Sequence, residues 1–207
     1  MTRSVAILLF DEVEVLDACG PFEVFSVANR VSRRDRPAAD DPFQVSTFVT
    51  GERREAVARG GLVITASHTL DGLPAADIVV IPGGVTGAVE TDLALLGWLR
   101  ERRADTEVIA AVCTGAFVLA EAGLLAGRAA TTHWEDLADL RRRFPDVEVQ
   151  DGPRYLDGGD FATSAGVSAG IDLALHLVAR FAGADLATAT ARQMDYPWTD
   201  GGRQSPH

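Results

Sequence analysis

Glu107-Val-Ile-Ala-Ala-Val112-Cys113-Thr-Gly115 decides the fold. Its first six residues read as a buried strand: short, apolar and partly β-branched. Residues 114–125 follow with helical character as far as a stop near Gly127. A cysteine thus stands where a strand turns directly into a helix. Only small residues flank it at Ala111, Gly115 and Ala116, as a very tight turn demands.

Outward from that turn, the same alternation repeats. Strands are predicted over residues 4–10, 43–50, 62–66, 77–82, 107–112, 147–150 and 161–164, the last two around a turn at Asp157-Gly158-Gly159. Helices are predicted from Pro21 onward, which suits a first helical turn, and over residues 93–103, 114–125, 134–144, 168–181 and 185–194. Alternating strands and helices predict an α/β fold, a mostly parallel sheet with helices on both faces. One domain over residues 1–195 and an extended tail over 196–207 account for the 207 residues.

Composition narrows the function. The net charge is −11, and this field repels a phosphate backbone, so no nucleic-acid partner is expected. No apolar run reaches the roughly 18–20 residues of a membrane span, and Asp11 and Glu12 cut short the first apolar stretch before it resembles a leader. A cytoplasmic protein with no membrane partner is expected. All 19 basic residues are arginine, which removes lysine Schiff-base chemistry. Cys19 and Cys113 are far apart, and His68, His133, His176 and His207 are scattered, so no metal site is expected.

In an open parallel sheet, ligands bind beyond the carboxyl ends of the strands. Three segments arrive there: Asp11 to Gly20, Pro82-Gly83-Gly84 and Cys113-Thr114-Gly115. At the start of a helix, free N–H groups and the dipole favour the Cys113 thiolate. The N–H of Thr114, with one from Gly83 or Gly84, would make an oxyanion hole. A small buried hydrophobe at a strand end is the other reading of Cys113, and spacing leaves both open. Asp17 reads either as a helix N-cap or as a half-buried carboxyl of raised pKa that exchanges a proton with the thiol. Cys19 reads as packing. His133 reads as a neighbour of the site or as a residue that merely starts a helix. Gly166-Val-Ser-Ala-Gly170 would bring backbone close to a ligand.

Leu16-Asp-Ala-Cys-Gly-Pro-Phe-Glu-Val24, Ile81-Pro-Gly-Gly84, Val112-Cys-Thr-Gly-Ala116, Gly123-Leu-Leu-Ala-Gly-Arg-Ala-Ala-Thr-Thr-His-Trp134 and Gly166-Val-Ser-Ala-Gly-Ile-Asp172 together resemble the ThiJ/PfpI superfamily, in its order and over nearly the whole chain. The resemblance implies a flavodoxin-like fold, a homodimer, a small-molecule substrate and no cofactor. Two branches share these motifs: isonitrile hydratase, which adds water to an isocyanide, and the amidase-like domain of AraC-type regulators. The first implies Cys113 as nucleophile and Asp17 as its acid. It also implies backbone N–H groups from Gly84 and Thr114, and the carbonyl of Val167 near the thiol. Protease relatives carry histidine directly after the cysteine, where Thr114 stands here. Glyoxalase or deglycase relatives usually carry glutamate where Asp17 stands. Residues 195–207 are too few for a helix-turn-helix, so a hydratase is expected first, then a small-aldehyde enzyme or a non-catalytic sensor.

Overall fold

The computed structural model describes residues 1–198. In chain order the elements are β1 (Arg3–Leu8), α1 (Val15–Asp35), β2 (Phe43–Val49), β3 (Glu55–Val57), β4 (Val63–Thr65), β5 (His68–Thr69), β6 (Ile78–Ile81), α2 (Gly87–Glu90), α3 (Leu93–Arg102), β7 (Val108–Val112), α4 (Gly115–Glu121), β8 (Ala129–Ala130), α5 (Leu137–Arg143), β9 (Glu148–Val149), β10 (Tyr155–Asp157), β11 (Phe161–Ser164), α6 (Ala169–Ala182) and α7 (Ala184–Gln193).

Seven strands form one sheet in the order β10-β11-β7-β6-β1-β2-β5. Every pairing in it is parallel except β10 with β11. Every residue of β6, β7 and β11 is buried, as apolar strands covered on both faces must be. Helices α1, α6 and α7 pack together as one layer, and α2 and α3 pack on α4, which contacts β6 and β7. This is the flavodoxin-like α/β architecture. Strand order reverses at β1, with β2 and β5 on one side and β6, β7 and β11 on the other. A crevice therefore opens beyond the carboxyl ends of β1 and β6, the place where such sheets bind ligands.

Four expectations need correction. Helix α1 starts at Val15, not Pro21. Pro21 lies inside it and supplies no N–H to the carbonyl of Asp17 four residues earlier; the proline signal for a first turn pointed one and a half turns too late. The strand at 62–66 leaves the main sheet and pairs with β3 as a separate hairpin. The strand expected at 147–150 is β9, which pairs with β8 in another small sheet. The partner of β11 across the Asp157-Gly158-Gly159 turn is β10, whose Tyr155-Leu-Asp157 was too short to stand out. Helix α4 ends at Glu121, well before Leu125, and Gly123 turns the chain with φ 74°. Of the expected tail, Tyr196 and Trp198 are partly buried against the core, and residues 199–207 lie outside the described residues.

Candidate active site

Cys113 has φ 56°, a left-handed conformation that costs an L-residue energy. The surroundings hold it there. Its N–H donates to the Ser164 carbonyl at 3.1 Å, and its own carbonyl accepts the Thr132 hydroxyl at 2.8 Å. Gly115 allows the helix to start this close to the sheet: a methyl group there would come 2.1 Å from the Ile81 carbonyl oxygen. The result is a strained strand-to-helix elbow.

Asp17 is completely buried, on the first turn of α1 and not ahead of it as an N-cap. Its Oδ2 accepts the Gly83 N–H at 3.1 Å. Burial pushes its carboxyl up to about 7, and Glu14 adds to the rise, while the Gly83 N–H and the Cys113 side chain pull the other way. Cys113 is 7% exposed, and its thiol is pushed up to about 12 by burial first and the Asp17 charge second. Backbone groups of Thr114 and Val167 counter this. Removal from water and a neighbouring carboxylate thus oppose the positive end of a seven-residue helix, which favours the thiolate. The two acids act on each other through charge and through a side-chain contact, and Asp17 Oδ1 has no other hydrogen-bond partner among the described residues. Two acids this close titrate as a pair.

Two backbone expectations change as well. The N–H of Gly84 is not free, since it donates to Thr114 Oγ1 at 2.9 Å, and that hydroxyl donates back to the Gly84 carbonyl at 3.0 Å. The N–H of Gly83 is taken by Asp17. This leaves the Thr114 N–H toward the sulfur. A backbone group of Val167 favours the thiolate, the sense in which an N–H beside the sulfur acts. The two hydrogen bonds of the Thr114 hydroxyl tie the elbow to the Gly84 turn. Thr114→Val leaves a Gly84 N–H and carbonyl without that partner, and a loss of about 1–3 kcal/mol is expected in denaturant unfolding.

Cys113 opens into a cavity of about 240 Å³ lined also by Glu14, Arg59, Gly84, Thr114, His133 and Val167, with Glu135 and Asp136. His133 therefore borders the site, with Nδ1 3.7 Å from Glu135 and 3.6 Å from Asp136. No hydrogen bond joins it to Cys113 among the described residues. A methyl group on Gly166 would lie 2.0 Å from its Cδ2, so that glycine seats the ring. Cys19 is partly buried and is absent from the cavity lining. Arg59, Glu14, Glu135 and Asp136 were not legible beforehand. Glu14 lies in the flagged segment Asp11 to Gly20, and Glu135 and Asp136 in the helix predicted over 134–144, but no pattern singled them out from the other charged residues there, and Arg59 lies in a connecting loop.

A thiol at a strained elbow thus lies beside a buried carboxyl at the switch point of a parallel α/β sheet. Residues 3–180 match the DJ-1/PfpI family, and the chain belongs to it. It is 32% identical over 197 residues to the isonitrile hydratase of Pseudomonas putida, covering 95% of this chain and 79% of that one. It is 31% identical over 194 residues to the HTH-type transcriptional regulator GbdR of Pseudomonas aeruginosa, covering 94% of this chain but only 51% of the regulator. In structure, Drosophila melanogaster DJ-1beta matches with a TM-score of 0.82 at 19% identity, covering 96% of this chain and 100% of that one, a likeness of fold. Among the described residues no helix is long and apolar enough to cross a membrane.

Proposed function

We propose that the protein is a cysteine-dependent hydratase that converts an isocyanide and water into an N-substituted formamide. The observation that carries this is the fully buried Asp17 carboxyl, poised near neutrality against the Cys113 thiol. An isocyanide needs a nucleophile and a proton at the same carbon, and this pair offers both. The similarity to a hydratase over 95% of the chain supports the same reading.

With one proton on the pair, Asp17 takes it from the thiol. The thiolate attacks the terminal carbon, forming the S–C bond, and Asp17 returns the proton to that carbon. The product is a thioimidate, R–N=CH–S–Cys113. Water then adds to the C=N carbon with Asp17 as base, the C–S bond breaks, and the formamide leaves with Cys113 restored. The Thr114 and Val167 N–H groups support the sulfur while it is anionic.

Two observations favour a second reading. The match to the regulator, and a thiol that rests protonated, fit a non-catalytic sensor of small molecules. A panel of one aryl isocyanide, one alkyl isocyanide and methylglyoxal separates these. Formamide from an isocyanide is the expected result. Loss of methylglyoxal alone would indicate a small-aldehyde enzyme, and binding without turnover a sensor.

A homodimer belongs to this proposal. Leu16 and Phe22 on α1 and Leu62 and Val63 at the β3–β4 hairpin are exposed apolar residues, which a second copy would cover. Sedimentation at micromolar concentration is expected to give twice the 22.0 kDa chain mass.

A further inference from the structure

Val167 has φ 47°, a genuine outlier for a β-branched residue, and it needs outside support to stay there. Arg154 supplies that support from both sides. Its backbone carbonyl accepts the Ala165 N–H at 2.8 Å, and its guanidinium donates to Ser168 Oγ at 3.1 Å. The two contacts bracket Gly166 and Val167. The guanidinium is fixed in turn by the buried Asp172 on the first turn of α6, with Nε donating to Oδ2 at 2.6 Å. The Tyr196 hydroxyl donates to that same oxygen at 3.0 Å, and lies 3.4 Å from the Ser168 carbonyl.

We propose that Arg154, Asp172 and Tyr196 are positioning residues that aim the Val167 N–H at the Cys113 sulfur and so set how readily the thiol ionises. None of the three lines the cavity at Cys113. The groups that face the thiol there are Asp17, Glu14, Arg59, His133, Glu135 and Asp136, and none of them belongs to the clamp. Loosening the clamp reaches the sulfur through the 165–168 turn. Segment 196–198, which carries no regular secondary structure, thereby becomes part of the reactive centre. The inference rests on Cys113 as the reactive group, whatever the substrate.

The test is iodoacetamide alkylation of Cys113 in the full chain between pH 7 and 9, followed by mass spectrometry on the Cys113 peptide, which leaves Cys19 out of the signal. Tyr196→Phe and Asp172→Asn are compared with wild type. With the N–H turned away, the thiolate loses a donor and the thiol pKa rises. Alkylation at each pH is expected to slow about threefold to tenfold, the loss for one charge-assisted hydrogen bond that is stretched but not fully broken. Tyr196→Phe removes only a hydroxyl and keeps the ring packed, so it reads out even where Asp172→Asn fails to fold. A clamp with a purely structural part would lower the unfolding temperature and leave the alkylation rate at the wild-type value, or raise it by opening the turn; either result overturns the proposal. Because no isocyanide is used, failure of the hydratase reading would not imitate failure here.

Discussion

Cys113→Ala is expected to lower formamide production by at least about a thousandfold, the scale on which removal of a covalent nucleophile acts. The fold should survive. Alanine keeps the Cβ, the backbone hydrogen bonds to Ser164 and Thr132 do not involve the side chain, and only one sulfur leaves a buried site. Circular dichroism and the unfolding midpoint should stay close to wild type. A variant that folds and still turns over isocyanide at the wild-type rate would show that the sulfur forms no bond in the reaction.

Asp17→Asn is expected to separate two properties that wild type joins. Turnover should fall by about a hundredfold or more, because the amide neither accepts the thiol proton nor returns it to carbon. Alkylation of Cys113 at pH 8 should become faster, because the carboxylate that raises the thiol pKa is gone. The pH profile follows from the same pair. Wild-type kcat/KM should climb about tenfold per pH unit below the Asp17 pKa of about 7 and level off above it, where the pair holds a single proton. That limb should vanish in Asp17→Asn.

Stability moves in the opposite sense. Asp17 is an acid whose folded pKa lies above its ordinary value of 3.8, so the native state keeps a proton that the unfolded chain releases. Its contribution is most favourable below about pH 4, declines as pH rises toward 7, and stays unfavourable above. At about 1.4 kcal/mol per pH unit the penalty at pH 8 reaches a few kcal/mol. Asp17→Asn should therefore unfold at a higher temperature than wild type at pH 8 while being far less active. Equal midpoints at pH 8 would mean that folding does not raise the Asp17 pKa.

The elbow was legible in the sequence because β7 and the start of α4 are adjacent in the chain, and their residue types follow from local sterics. The parallel sheet was legible for a similar reason: buried strands such as Ile78–Ile81 are apolar throughout. Three things were not. The start of α1 was misplaced because Pro21 resembles a first-turn residue, whereas tertiary packing carries the helix back to Val15. Ionisation of Cys113 depends on burial and on an acid 96 positions away, and no local pattern reports either. The occupied N–H of Gly84 depends on a rotamer of Thr114 across the crevice. Asp17 and Cys113 were each visible as candidates, and the fold supplies their meeting.

The β3–β4 hairpin stands outside the main sheet, held through Glu12 N–H to the Val57 carbonyl and Arg59 N–H to the Val13 carbonyl. It brings Arg59 to the rim of the cavity. On the proposed function, one wall of the cavity and the acid pair thus come from separable parts of the chain. Lengthening or exchanging that hairpin can change which molecules are admitted while the acid pair is inherited intact, so one scaffold can diversify its clientele without reinventing its chemistry.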